Sequence, residues 1–364
     1  MSTPEPTAST HDLATRCIRG GLVPDPTTGA ILTPIYQTAT YVQEAIGQNK
    51  GHTYSRASNP TVSALEANLG SLENAPPAVC FATGLAAVHA LFISLLKAGD
   101  HVICSDVIYG GTYRLLKEVL ADLGIQSSFV DSSTPSVVKA AIKANTRLVL
   151  IETPGNPTLK LTDVAAIAAI TRPLGIKLAV DNTFLTPVGL QPLELGADIS
   201  LYSTTKYIEG HNATVGGSLT SRDVALNERF RFIRKSVGSI QAPHDAWLTL
   251  RGIKTLALRV NHQQASAGLI ARWLADHHDV REVLYPGLAG HAGAKVHAEQ
   301  ASGPGTVRAP TISVCVTRTR AARNGWWFPC AARSAMARAC AVAPVMTQRG
   351  SATAVATANT RKAM

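Results

Sequence analysis

Seven short apolar runs, at residues 78–82, 101–104, 127–130, 147–152, 177–181, 199–202 and 217–220, are separated by segments of helical periodicity. Runs of this length read as strands buried on both faces. Between them Leu85, Val88, Phe92 and Leu95 make one helical stripe, and Leu115, Leu116, Val119, Leu120 and Leu123 another. Repeated strand and helix units require crossover connections, so the sequence predicts an α/β domain of roughly 200 residues with a mainly parallel sheet sandwiched by helices.

In such sheets ligands bind beyond the carboxyl ends of the strands, and those ends carry polar groups here. After Phe81, the run Ala82, Thr83, Gly84, Leu85 turns tightly into a helix whose first amides form an anion site. Tyr109 stands beside Gly110 and Gly111, where its ring can stack on a flat ligand. The run 147–152 ends in Glu152, Thr153, Pro154, Gly155, Asn156. Asp181 leaves the apolar Leu178, Ala179, Val180, so it needs a cationic partner, which a pyridinium nitrogen supplies. After residues 199–202 come Ser203, Thr204, Thr205 and Lys206. Two hydroxyls beside a lysine suit a phosphate whose aldehyde the lysine captures as a Schiff base, and pyridoxal phosphate has both groups. Taken singly, each has a plain structural reading: a turn glycine, a packing tyrosine, a capping aspartate, a surface lysine. Their convergence on one edge favours a cofactor site.

Residues 1–50 hold Pro24, Pro26, Gly29 and Pro34 with little periodicity and read as an extended arm. Asn59 and Pro60 mark the start of a helix over 62–72, and Tyr54 and Arg56 point the same way if their segment is extended.

Charge excludes less than it first suggests. The formal charge is +10, yet from Gln300 onward there are nine basic residues and no acidic one, which leaves 25 basic against 24 acidic residues before it. A nucleic-acid surface needs basic residues clustered on a folded face, and the body has none, so no nucleic-acid partner is expected. No apolar run approaches the roughly 20 residues of a membrane span. The polar start and six cysteines without a C-x-x-C pair point to a cytoplasmic protein without a metal site.

These residues resemble the pyridoxal-phosphate enzymes of cysteine and methionine metabolism, the transsulfuration enzymes. The stretches that carry the resemblance are YSRASNPT (54–61), YGGTYRL (109–115), ETPGNPT (152–158), VDNTF (180–184), PLELGAD (192–198), STTKYIEGH (203–211) and LTLRGIKTLALR (248–259), within about residues 12–302. The resemblance implies the type I fold of aspartate aminotransferase and pyridoxal 5′-phosphate as cofactor. It implies Lys206 as the Schiff-base lysine and proton carrier, with Asp181 on the pyridinium nitrogen. Tyr109 would cover the ring, with Asn156 near the ring hydroxyl. The amides of Gly84 and Leu85 and the hydroxyls of Ser203 and Thr205 would bind the phosphate. Tyr54 and Arg56 would reach a neighbouring subunit's phosphate, implying a homodimer or homotetramer. Glu209 and His211 keep structural roles. The implied activity is carbon–sulfur lysis of cystathionine or a related amino acid, with γ-replacement on an O-acylhomoserine as the alternative. Methionine γ-lysis is disfavoured, because those enzymes carry a cysteine where Gly111 stands.

The implied organisation is an arm (1–50), a cofactor-binding domain (51–245) and the start of a smaller C-terminal domain (246–302). Residues 303–364 break the pattern. After Leu288 there is no leucine in 76 residues, and Ala, Arg and Thr dominate. No regular helical stripe can be built there. The family carries a serine-bearing loop and a carboxylate-gripping arginine in this part, and neither aligns here. The expectation is an aberrant basic tail from a shifted reading frame, and an incomplete C-terminal domain. Such a chain would bind cofactor with weak turnover, an inactive pyridoxal-phosphate-binding relative being the limiting case. Resequencing decides the frame: an intact frame matched by intact protein mass contradicts the shift.

Overall fold

The computed structural model describes residues 11–301, together with the backbone of residues 313–316 and 354–355. The basic tail read at 303–364 otherwise lies outside the described residues, as do residues 1–10 of the arm. The seven expected runs all become strands: β1 (Val79–Phe81), β2 (His101–Ser105), β3 (Gln126–Val130), β4 (Thr146–Glu152), β5 (Lys177–Asp181), β6 (Ile199–Tyr202) and β7 (Gly217–Thr220). They form one sheet in the order β1-β7-β6-β5-β4-β2-β3. β7 is antiparallel to both neighbours and the remaining pairs are parallel. Consequently β1, β4, β5 and β6 all end at the same edge.

Alternation along the strands sorts the core onto two faces. Val102, Cys104, Leu148, Leu150, Ala179, Ile199, Leu201 and Leu219 pack with Ala87, Leu91 and Phe92 of the helix Gly84–Leu95 and Phe230 of the helix Val224–Val237. Ile103, Val149, Ile151, Leu178 and Val180 pack oppositely, with Val164 and Ile167 of the helix Val164–Thr171. Cys80 and Tyr202 join a third cluster with the helices Pro60–Leu72, Pro243–Ile253 and Leu256–Ala275. A further strand, β8 (Val280–Leu284), pairs antiparallel with residues 313–316. Among the described residues no helix is long and apolar enough to cross a membrane.

Local signals account for the helix starts. Asn59 accepts the Thr61 amide at 3.0 Å ahead of the helix Pro60–Leu72, and Thr83 accepts the Ala86 amide at 3.0 Å ahead of Gly84–Leu95. Two expectations need adjustment. The arm opens with a short helix, Leu13–Arg19, capped by Asp12 and seated on the helix Pro60–Leu72 through buried Cys17. The second leucine stripe does not stay on one face. The helix Gly110–Arg114 widens over Leu115–Leu120, where the Ala121 amide reaches Leu116 O at 3.0 Å, a span of five residues. This extra residue per turn leaves Leu116 and Leu120 buried and turns Val119 and Leu123 outward.

A buried acid ties the helix Pro60–Leu72 to the sheet. Glu73, the C-cap of that helix, is 0% exposed, and its Oε1 accepts from Ser200 Oγ at 3.1 Å and from the Tyr202 hydroxyl. Its Oε2 has no partner, and burial pushes the carboxyl up to about 7 despite those donors. The fold therefore holds a proton that the unfolded chain has released, so stability falls as pH climbs from the ordinary value near 4.5 through about 7. The loss is on the order of 3 kcal/mol. Glu73→Gln is expected to flatten that part of the stability profile, read from urea midpoints at pH 5 and pH 7.5. An unchanged difference between the two midpoints would count against a neutral Glu73.

Candidate active site

Three parallel strands present their last side chains side by side. Glu152 of β4 pairs in register with Asp181 of β5, and Asp181 with Leu201 of β6, so the Ser203–Lys206 turn leaves the sheet beside both acids. Thr183 stitches the turn to β5: its hydroxyl donates to Asp181 Oδ1 at 2.5 Å and accepts the Ser203 amide at 2.8 Å. The turn closes with the Lys206 amide on Ser203 O at 3.3 Å and the Gly210 amide on Lys206 O at 2.8 Å.

The other wall comes from β1. A Cβ on Gly84 would stand 2.9 Å from both Cβ and Oγ of Ser203, and one on Gly217 would stand 2.7 Å from Gly84 Cα. Only glycine lets these three segments touch, which sets the start of the 12-residue helix Gly84–Leu95 against the Ser203 turn. The helix N-terminus and the Ser203 and Thr205 hydroxyls thus face one space, suited to a phosphate. The Thr205 hydroxyl is occupied locally, donating to Gly216 O at 3.2 Å and accepting the Gly216 amide at 3.0 Å.

The cavity these segments border, about 330 Å³ and open to solvent, is lined by eight of the residues singled out from sequence: Gly84, Leu85, Tyr109, Asn156, Asp181, Ser203, Thr205 and Lys206. Glu152 and Thr183 also line it, although the sequence reading gave neither a role. Tyr54 and Arg56 do not. They line a separate recess with Gly238, Gln241 and Pro243, where the Arg56 guanidinium stands 5.2 Å from the Tyr54 ring centroid and donates to Lys235 O at 2.8 Å. Tyr54 is 41% exposed. A larger cavity of about 720 Å³ lies between the Lys160 loop and β8, but its lysine is committed to Asp106 and Asp131 at 2.7 and 3.2 Å. His277, His278 and Asp279 bring three ligand atoms within 4.8 Å of one another on a solvent-facing turn, and they line none of these cavities.

Electrostatics define which group the site would suit. Burial pushes Asp181 up to about 6, against the lowering effect of two hydrogen bonds from Thr183. Burial, with the Asp181 charge beside it, pushes Glu152 up to about 8. Burial and mutual repulsion thus drive both acids toward the neutral form. A pyridinium nitrogen against Asp181 would restore its charge, and the fit extends to the rest of pyridoxal phosphate. An anion site at one end, an acid at the other, Tyr109 as an aromatic wall and Lys206 as an amine match its phosphate, ring nitrogen, flat ring and aldehyde.

Comparison with known proteins agrees with this assignment. The profile of the family described as Cys/Met metabolism PLP-dependent enzyme matches residues 14–324. A probable cystathionine gamma-synthase of Herpetosiphon aurantiacus is 46% identical over 295 residues, covering 81% of this chain and 92% of that protein. A cystathionine gamma-lyase of Bacillus subtilis is 45% identical over 291 residues, covering 80% and 76%. The crystal structure of metB from Corynebacterium glutamicum superposes with a TM-score of 0.82 at 43% identity, over 85% of this chain and 79% of that one.

Proposed function

The chain belongs to the pyridoxal-phosphate-dependent enzymes of cysteine and methionine metabolism, and on that premise we propose that it is a carbon–sulfur lyase acting on cystathionine or a related sulfur amino acid. The observation that carries this reading is the single cavity in which Lys206, Asp181, Tyr109 and the start of the helix Gly84–Leu95 meet. Relatives named as synthase and as lyase stand at nearly equal identity, so γ-replacement on an O-acylhomoserine is the second reading. Those relatives and the profile match, which runs past the change of composition to residue 324, do not favour an inactive protein.

Bound pyridoxal phosphate supplies an electron sink for the pair released at the substrate's Cα. Every other task falls to this chain. Lys206 would hold the cofactor's aldehyde end, and its Nζ, when free, would take the proton from the substrate's Cα. Asp181 keeps the ring nitrogen protonated. The amides of Gly84 and Leu85 and the hydroxyls of Ser203 and Thr205 would hold the phosphate, the Thr205 hydroxyl being bonded to Gly216 in this structure. Tyr109 would cover one ring face and exclude water from it, and Asn156 would orient the ring hydroxyl.

Tyr54 and Arg56 serve the phosphate of a second subunit. Their exposure outside this chain's own cavity supports that reading, as does an arm whose Val23, Val42 and Ile46 are 74%, 88% and 104% exposed and need a covering surface. The enzyme is therefore at least a homodimer. The buried free thiols of Cys17, Cys80 and Cys104 suit a reducing, cytoplasmic compartment.

Product analysis tests the assignment. Incubated with cystathionine, the protein is expected to release a thiol, ammonia and a 2-oxo acid faster than it forms cystathionine from O-succinylhomoserine and cysteine. Consumption of neither substrate would contradict it. In the same assay Lys206→Ala and Arg56→Ala subunits are each expected to be inactive alone and to recover activity when co-expressed. No recovery would remove the shared site.

A further inference from the structure

Glu152 takes no part in the mechanism above, yet its geometry is specific. It ends β4, is 7% exposed, and gives one oxygen to each of two different loops. Oε2 accepts the Tyr109 amide at 2.8 Å, and Oε1 accepts the Asn156 amide at 3.1 Å. These are the residues that face the ring and its hydroxyl. The same loops also touch directly, since a Cβ on Gly155 would stand 2.8 Å from Val107 Cγ2 and 3.0 Å from Val107 O. Glu152 is itself fixed, with its amide donating to Ser105 Oγ at 3.3 Å and its register set by Asp181 across the strand pair.

We propose that Glu152 is a positioning residue that sets Tyr109 and Asn156 in register around the cofactor by holding one loop on each carboxyl oxygen. The proposal rests on the reading of this cavity as the cofactor site. Residue chemistry explains the choice of glutamate. A pyridinium beside Asp181 would offset the charge that, with burial, drives Glu152 toward its neutral form, and the ionised carboxylate then has two acceptors on one planar group for two converging N–H donors. A glutamine offers one acceptor and turns its NH2 toward the second amide, so it can hold one loop but repels the other. A merely space-filling acid would be replaced by glutamine at little cost, because the two are nearly the same size. A loosened loop leaves the phosphate and Lys206 ends of the site intact, so cofactor uptake and chemistry separate.

The test uses the full-length holoenzyme and Glu152→Gln. At saturating pyridoxal phosphate the variant is expected to keep its visible absorption band while losing half or more of its visible circular dichroism, which reports how the ring is held. Its kcat should fall roughly 10- to 100-fold, the scale of a small misplacement at a reacting centre, with KM moving far less. Native dichroism and native kcat would overturn the positioning role and leave the cofactor reading standing. A wild-type protein that takes up no pyridoxal phosphate would overturn both. If the variant does not fold, amide hydrogen exchange on the wild-type holoenzyme gives the answer. The Tyr109 and Asn156 amides should be protected on a par with those of β4, and exchange of either at the rate of an open loop would overturn the proposal.

Discussion

The hydrogen-bonded register of β4, β5 and β6 is the constraint on which the site depends. Parallel pairing fixes Glu152 opposite Asp181, and Asp181 opposite Leu201, so two acids and the turn that ends in Lys206 emerge from three successive strands, each one strand spacing from the next. A slip of one residue would send Asp181 to the other face and Val180 into the cavity. The alternating burial of Leu178, Ala179 and Val180 between two apolar clusters makes such a slip costly. The core that folds the domain is therefore also what aligns its chemistry.

Close contact between backbones is the second condition. Gly84, Gly217 and Gly155 each stand where a side chain would collide with a neighbouring segment. The resulting pocket has rigid walls, and its polarity runs from the helix N-terminus at one end to buried carboxyls at the other. Asp181 and Glu152 are unfavourable in isolation, with both carboxyls driven toward the neutral form. A cation at Asp181 would relieve that strain, so these electrostatics suit a protonated ring nitrogen. Glu73 repeats the theme one layer below. It binds the Tyr202 hydroxyl, which in turn accepts from Asn182 Nδ2 at 2.9 Å, so a buried polar chain braces the residue after Asp181.

Much of this was legible in the sequence, for physical reasons. Apolar runs survive as strands because a sheet covered on both faces leaves few alternatives, and each strand matched its run to within about two residues. Asn59 and Thr83 announced helices because their side chains satisfy amides locally, without tertiary help. Eight of the ten site residues share a cavity because parallel topology gathers strand ends. Roles that depend on long-range partners were not legible. Glu152 acts through amides 43 and 4 residues away, and nothing local distinguishes it from an ordinary strand-end acid. The widened turn after Arg114 shifted the leucine stripe because packing overrode periodicity. Tyr54 and Arg56 line a recess of their own outside the cavity, a placement that no local signal in the sequence announces and that the shared site proposed above would explain.

One lysine, Lys206 in the turn after β6, is proposed to hold the cofactor that the surrounding residues are arranged to receive. The most direct measurement is borohydride reduction of the full-length protein loaded with pyridoxal phosphate, followed by digestion and mass spectrometry. The reduced cofactor is expected on the peptide carrying Lys206 and on no other lysine. Label on another residue, or none at all, would contradict it.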